Sequence, residues 1–253
     1  SDAEKGLVVE RRFTSADQDP FESFDWIDMD VEIRNPDGSM ADSIEGVKLP
    51  SGFSGIPGKV CAQKYLRKAG VPKHLRNVPE DGIPIWLQRS EPDHERLQSI
   101  DAAERMGGET DGRQLFRRLA GTWTYWGWKY GYFASEADAR AYFDEMCYLI
   151  ASQRSAPNSP QWFNTGLHWA YGIEGPPQGH SFVDPETGEV GLSTSAYEHP
   201  QPHACFIQSV SDSLVGGTDS IMGLWNREAL LFKYGSGTGS NFSNIRGAGE
   251  PLS

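Results

Sequence analysis

Three thiols, six imidazoles and one glycine-rich run are the parts of this 253-residue sequence whose types and spacing carry chemistry. Cys61, Cys147 and Cys205 are odd in number and widely spaced. They do not make the disulfide framework of a secreted domain, so a reducing cytoplasm is the expected setting. Cys205 stands apart by its surroundings. It sits in Ala204-Cys-Phe-Ile-Gln-Ser-Val210, which reads as a strand. A lone thiol in a strand most simply packs in a core. His199, His203 and Cys205 form the rival reading, because His and Cys together are zinc chemistry. Pro200 and Pro202 forbid the helical i, i+4 geometry and no fourth ligand is near, so no metal site is expected.

The run Gly235-Ser-Gly-Thr-Gly-Ser240 is no dinucleotide fingerprint, because it follows a helix pattern rather than a strand. No Lys-Ser/Thr follows it, so it is no phosphate loop either. Two readings survive: a linker, or a loop whose backbone N–H groups approach a ligand closely. The next residues, Asn241-Phe-Ser-Asn-Ile-Arg246, look strand-like and favour a tight connection. Ser159, in Asn158-Ser-Pro160, can cap a turn ahead of a strand-like Gln161-Trp-Phe163. Asp212 lies just before a helix pattern, where the macrodipole favours an acid. Cys61, Cys147 and the aromatic residues over 123–130 are expected to be structural.

The elements that must position these groups follow from periodicity. Residues 1–50 mix acids with short apolar runs and a turn at Asn35-Pro-Asp-Gly38, predicting small strands or a partly extended arm. Residues 51–97 are rich in Gly and Pro, so regular structure there is short and broken. A helical region covers 112–133. A second helix over 136–153 starts at Ser135-x-x-Asp138 and carries Ala139, Tyr142, Phe143, Met146, Leu149 and Ile150 at helical spacing. Residues 172–203 form a long surface excursion rich in Pro and Gly. A helix over about 219–234 ends at Gly235, a left-handed C-cap.

Thirty-five acidic residues against 23 basic give a net charge of −12. With no clustered Lys/Arg, the composition argues against a duplex nucleic-acid surface held by phosphate contacts, and no direct nucleic-acid binding is expected. No apolar run reaches the length of a transmembrane helix, so no membrane association is expected. The N-terminus has no apolar signal segment and no Met, which reads as a processed or trimmed start.

Three blocks carry a resemblance. They are Ser155-Ala-Pro-Asn-Ser-Pro-Gln-Trp-Phe-Asn-Thr-Gly166, Pro202-His-Ala-Cys-Phe-Ile-Gln-Ser-Val-Ser-Asp-Ser213 and Leu231-Phe-Lys-Tyr-Gly-Ser-Gly-Thr-Gly-Ser-Asn-Phe-Ser-Asn-Ile-Arg246. In this order they resemble the opening of the α/β barrel of ribonucleotide reductases. Gly121-Thr-Trp-Thr-Tyr-Trp-Gly-Trp128 and Ser54-Gly-Ile-Pro-Gly-Lys-Val-Cys61 resemble the long, adenosylcobalamin-dependent (class II) branch. The similarity covers roughly 50–253. It implies an α/β chain with a mixed segment over 1–97, a helical region over 98–157, and over 158–253 the first strands of a ten-stranded barrel left incomplete.

The resemblance also implies roles. Cys205 becomes one half of the reducing thiol pair. Ser159, Ala204, Gly235, Gly237 and Gly239 hold the ribonucleotide substrate, with Ala204 contributing backbone alone where many reductases have Ser. Asp212 and Arg246 hold a deoxynucleotide effector across a homodimer interface. Adenosylcobalamin initiates a thiyl radical on a cysteine absent from this sequence, that radical takes the 3′ hydrogen, and the dithiol then reduces the 2′ position. A thioredoxin-like reductant would restore the dithiol. Activity is expected only with a C-terminal reductase chain or segment, since the thiyl cysteine and its assisting groups lie beyond residue 253. The alternative is a non-catalytic nucleotide-binding or assembly module that keeps the front half of the fold.

Overall fold

The computed structural model describes residues 6–251. It is a mixed α/β chain whose strands, among the described residues, pair as five two-stranded sheets without closing a barrel. Backbone contacts divide it into two units, Ser1–Pro157 with Gln161–Pro200, and Asn158–Pro160 with Gln201–Ser253.

The first unit opens with an antiparallel hairpin, β1 (Trp26–Arg34) and β2 (Met40–Pro50). The predicted Asn35–Gly38 turn connects them: Gly38 N–H donates to the Asn35 carbonyl at 2.9 Å, and Gly38 takes φ +85°, a conformation glycine adopts without strain. Short elements follow, as the Gly/Pro content dictates: α1 (Ile56–Val60), β3 (Val71–Pro72), β4 (Leu75–Asn77), β5 (Ser90–Pro92), α2 (His94–Gln98) and β6 (Met106–Gly107). The segment before the hairpin is tied down rather than loose. The amides of Arg12, Phe13 and Thr14 all donate to the Glu145 carboxylate.

Two long helices form the body of this unit, α3 (Gly112–Lys129) and α4 (Glu136–Ala151). Asp111 caps α3 by accepting from the Arg113 amide while Gln114 reaches back to the Asp111 amide, a reciprocal cap that satisfies orphan donors. At α4 only half of the expected box forms. Ser135 accepts from the Asp138 amide, but Asp138 turns to accept from Val9 N–H at 2.9 Å. Leu115, Phe116 and Leu119 on α3 and Cys147 and Ile150 on α4 are fully buried against Val47 and Leu49 of β2. Each such side chain contributes about 1.5–3 kcal/mol, and Phe116→Ala would cost about 3–5 kcal/mol.

Beyond α4, the chain forms α5 (Ser159–Asn164) and α6 (Leu167–Tyr171). The strand expected at 161–163 is therefore helix. Pro160 fits the first turn of a helix, where its missing N–H is no loss, and the aromatic pair splits by face, Trp162 buried and Phe163 exposed. The surface excursion over 172–203 carries a small antiparallel hairpin, β7 (Ser181–Val183) and β8 (Val190–Leu192).

The second unit is a parallel pair joined through a helix: β9 (Cys205–Ser209), α7 (Ile221–Lys233) and β10 (Gly237–Asn241). Ser220 caps α7 by accepting from the Gly223 amide at 3.1 Å. At its C-terminus Gly235 takes φ +81°, its N–H donates to Phe232 O, and Ser236 N–H donates to Leu231 O. The left-handed C-cap predicted at Gly235 thus forms, as a Schellman motif. The glycine run itself departs from expectation. It is strand from Gly237 to Asn241, and the segment expected to be strand after 241 is mostly turn. Pairing in register with β9 satisfies the backbone of a sequence that has little strand propensity of its own.

Candidate functional site

The two faces of the β9–β10 pair are chemically different. Register sets Gly237 opposite Cys205, Thr238 opposite Phe206, Gly239 opposite Ile207 and Ser240 opposite Gln208. One face meets α7 through polar bonds: Arg227 Nε donates to Gln208 Oε1 at 2.8 Å, Gln208 Nε2 to Thr238 Oγ1 at 2.7 Å, and Ser240 Oγ to Glu228 Oε1 at 2.9 Å. Strand alternation puts Cys205, Ile207, Gly237 and Gly239 on the other face. That face is open: Cys205 is exposed and Ile207 is 84% exposed.

Glycine keeps the position opposite the thiol uncrowded. A Cβ placed on Gly237 would lie 3.2 Å from Cys205 Sγ, and one on Gly239 would lie 3.1 Å from Ile207 Cδ1. Both contacts are tighter than ordinary packing, so a larger residue on β10 would push the sulfur or the Ile207 methyl aside by a few tenths of an ångström. The Gly237 amide donates to the Ala204 carbonyl at 2.6 Å. Ala204, Cys205 and Gly237 thus lie together at the start of the pair, with Gly239 two residues further along the same face and Gly235 two residues before β10. Asn158–Pro160 groups with this unit, which brings Ser159 into the same body.

Asp212 and Arg246, 34 positions apart, meet directly. Arg246 Nε lies 2.6 Å from Asp212 Oδ2, and its Nη1 donates to the Pro251 carbonyl at 2.7 Å. Both side chains keep partial exposure, 32% and 25%. A ligand hydroxyl can therefore reach the carboxylate while the guanidinium fixes its orientation.

The other two thiols behave as expected of structural cysteines. Burial pushes Cys61 up to about 12, and it also raises Cys147, which is fully enclosed in the core. Neither is a nucleophile at neutral pH. The zinc alternative finds different partners for its histidines. His203 Nδ1 pairs with Gln201 Oε1, and the His199 ring stacks on Phe182 at 4.0 Å. Among the described residues no group of three His, Cys, Asp or Glu side chains gathers to hold a metal. No helix there is long and apolar enough to cross a membrane.

One expectation needs correction. The aromatic residues over 123–130 are not all core: Trp123 packs against it, but Tyr125, Trp126 and Tyr130 line a cleft. Sequence reasoning also missed a buried ion pair. Arg118 and Glu109 are both fully enclosed, with Nε 2.7 Å from Oε1. Arg118 also donates to the carbonyls of Thr165, Trp162 and Tyr65, while Glu109 accepts from the Tyr171 hydroxyl and the Arg67 amide. The hydrophobic pattern of α3 placed position 118 beside core residues, which was the available signal.

Comparison with known proteins agrees with the geometry. The family model described as class II vitamin B12-dependent ribonucleotide reductase matches residues 28–153, and the ribonucleotide reductase barrel domain matches residues 203–253. The vitamin B12-dependent ribonucleotide reductase of Agrobacterium fabrum is 59% identical over 98% of this chain and 19% of its own length. That of Bradyrhizobium diazoefficiens is 57% identical over 98% of the chain and 20% of its own length. The Rhodopirellula baltica protein of the same name is 32% identical with the same coverage. The chain thus spans about a fifth of the length of these curated relatives. With both family models matched in order, and with a thiol-bearing strand where the barrel match begins, the chain belongs to the class II vitamin B12-dependent ribonucleotide reductases.

Proposed function

We propose that this chain is the N-terminal part of an adenosylcobalamin-dependent enzyme that converts ribonucleotides to 2′-deoxyribonucleotides for DNA synthesis. In this reading residues 1–97 form a mixed segment, 98–157 a helical region, and 158–253 the first part of a ten-stranded barrel. A C-terminal reductase chain or segment completes it. The observation that carries the proposal is the Cys205 thiol on the uncovered, glycine-lined face of β9 and β10. In an α/β barrel the helices lie outside, so the face opposite α7 is the one that turns inward.

Cys205 and a second thiol from the remainder of the enzyme act as the reductant. The two S–H groups give two electrons and two protons as the S–S bond forms, the 2′ hydroxyl leaves as water, and C2′ gains a hydrogen. A thioredoxin-like dithiol in the cytoplasm then reopens the disulfide. The backbone of Ala204, Gly235, Gly237 and Gly239 and the hydroxyl of Ser159 hold the substrate ribose and phosphate. Asp212 and Arg246 bind the deoxynucleotide effector at the interface of a homodimer.

The residues on the Cys205 face do not fit the cobalamin itself. Ile207 and the glycines offer neither a corrin platform nor a polar anchor for its nucleotide tail. Its contacts are therefore assigned outside these elements, and no step here runs through it. The deciding experiment is Cys205→Ser in the assembled enzyme. Repeated turnover with a dithiol reductant should be lost, and an enzyme that still turns over repeatedly would remove Cys205 from the reducing pair.

A further inference from the structure

Residues 9–15 lie along α4 between two anchors. Before them, the Leu7 amide donates to the Tyr132 carbonyl at 2.7 Å, and the Ala134 amide donates to the Leu7 carbonyl at 3.0 Å. After them, Phe21 is buried in the core of the first unit. Between the anchors no side chain is buried, and Phe13 is 43% exposed. Apolar burial therefore contributes little to holding this stretch in place.

Carboxylates hold it instead. Among the described residues, the hydrogen bonds from 9–15 to the rest of the chain all end on acids of α4. Val9 N–H donates to Asp138 Oδ1 at 2.9 Å, and Arg11 Nη1 donates to Asp144 Oδ2 at 2.7 Å. The amides of Arg12, Phe13 and Thr14 converge on Glu145 Oε1 at 3.0, 3.0 and 2.9 Å, and the Thr14 hydroxyl adds a fourth bond at 2.6 Å. Successive amides aimed at one anion form a nest, whose strength depends on the charge that it encloses. Phe13 adds a parallel stack on the Tyr148 ring at 5.2 Å.

The charges around Glu145 come from every neighbouring element. Arg11 belongs to the stretch itself, where Glu10 and Arg12 are exposed. On α4, Arg140 lies 3.5 Å from Asp144. Asp19, in the segment before β1, is held by Arg117 of α3, and Arg154 sits over the Phe13 ring at 5.0 Å. Burial opposes ionisation of Glu145, yet the Thr14 hydroxyl and the three amides outweigh it and hold its pKa below the ordinary value. A lowered folded pKa contributes stability above the ordinary glutamate range, and that stability is lost as pH falls through the folded value. Burial raises Asp144 against the pull of Arg11 and Arg140, so its hold on Arg11 fails at a higher pH than for an ordinary aspartate. The Ser135 hydroxyl and the Val9 amide keep Asp138 low.

We propose that residues 9–15 are a charge-gated strap, which opens from Glu145 and Asp144 as one unit while α4 stays folded, and which protonation of Glu145 holds open. Opening uncovers the Tyr148 ring and both carboxylates, and the anchors at Leu7 and Phe21 keep the strap tethered. The device uses no residue of the Cys205 face and stands or falls separately from it.

Hydrogen–deuterium exchange with mass spectrometry on the 253-residue chain tests it, with rates corrected for intrinsic exchange. At pH 7 the amides of Arg12, Phe13 and Thr14 should be protected, yet exchange at least about tenfold faster than those of Cys147 and Ile150, because they open locally. Glu145→Gln keeps the size and removes the charge, so strap exchange should accelerate about tenfold to hundredfold with Cys147 and Ile150 unchanged. Thr14→Val, at a position outside the core, should accelerate it about threefold to tenfold and decides the matter if the Glu145 variant fails to fold. From pH 7 to pH 3.5 the parent strap should lose protection before α4 does, and Glu145→Gln should show a smaller decline. Strap amides that exchange only together with α4, that are unprotected at pH 7, or that are equally protected in the parent and in Thr14→Val would each overturn the proposal.

Discussion

Replacing Arg118 by Met tests the most consequential buried contact in the first unit. Arg118 and Glu109 have no exposed side-chain surface. Removal of the guanidinium leaves the Glu109 carboxylate with only the Tyr171 hydroxyl at 2.9 Å and the Arg67 amide at 2.8 Å. Breaking one side of a buried pair costs about 3–5 kcal/mol, chiefly because the remaining charge is uncompensated. The carbonyls of Thr165, Trp162 and Tyr65 lose a donor at the same time, which keeps the loss near the upper end, about 4–5 kcal/mol. In a unit of about 200 residues, each kcal/mol lowers the melting temperature by about 2–4 °C, so Arg118→Met should melt about 8–20 °C below the parent. Scanning calorimetry on the chain reads this directly. A second arm isolates the charge. Arg118→Met combined with Glu109→Gln keeps an acceptor for Tyr171 but removes the stranded anion, so it should recover about half of the loss. A single variant melting within about 3 °C of the parent, or a double variant no more stable than the single, would refute the reasoning.

His168 should make stability depend on pH. Burial lowers its folded pKa, so its contribution is fully present above the unfolded value of about 6.5 and is lost as pH falls below it. Melting between pH 7.5 and pH 5 should show that decline, and His168→Gln should flatten it; an unchanged slope refutes the assignment. Native alkylation followed by mass spectrometry should label Cys205 well ahead of Cys61 and Cys147, with all three reacting only after unfolding. Gly237→Val should slow Cys205 labelling about twofold to tenfold by forcing the thiol about 0.5–1.5 kcal/mol off its rotamer; an unchanged rate contradicts the crowding argument. Asp212→Ala breaks a partly exposed ion pair, so it should cost under about 1 kcal/mol. In the assembled enzyme it should nevertheless abolish the dATP, dGTP and dTTP effects on substrate preference; normal responses would remove Asp212 from the effector site.

What was legible in the sequence depended on whether a residue's local pattern agreed with its environment. The helix over 136–153 was readable because its apolar spacing, its Ser135 cap and its burial all point the same way. Gly235 was readable for the same reason, a left-handed position where glycine is preferred. Trp162 misled because aromatic residues favour strands on average, while here Pro160 opens a helical turn and one ring is buried against Tyr65 at 5.1 Å. Arg118 was overlooked despite its place among the core positions of α3, because a charged residue on a helix normally marks its solvated face, and only tertiary partners reverse that.

The glycine strand is the instructive failure, because what hid it is what makes it useful. Gly237 and Gly239 lack the branched side chains that announce a strand, so periodicity read them as a connection. Their missing Cβ atoms are what keep the space beside Cys205 Sγ and Ile207 Cδ1 clear. A valine at either position would have made β10 obvious and crowded the face that carries the thiol. Local propensity and an uncrowded face therefore oppose each other at this strand, the kind of conflict that natural sequences show mainly at functional sites. The conflict is resolved by neighbours that carry the stability instead. Parallel pairing with β9 supplies the backbone bonds, and Arg227, Glu228 and Gln208 fix the opposite face. Weakening that polar layer should loosen β10 before it disturbs α7, because the helix has its own cap at Ser220 and its own Schellman ending at Gly235, whereas the strand has only its partners.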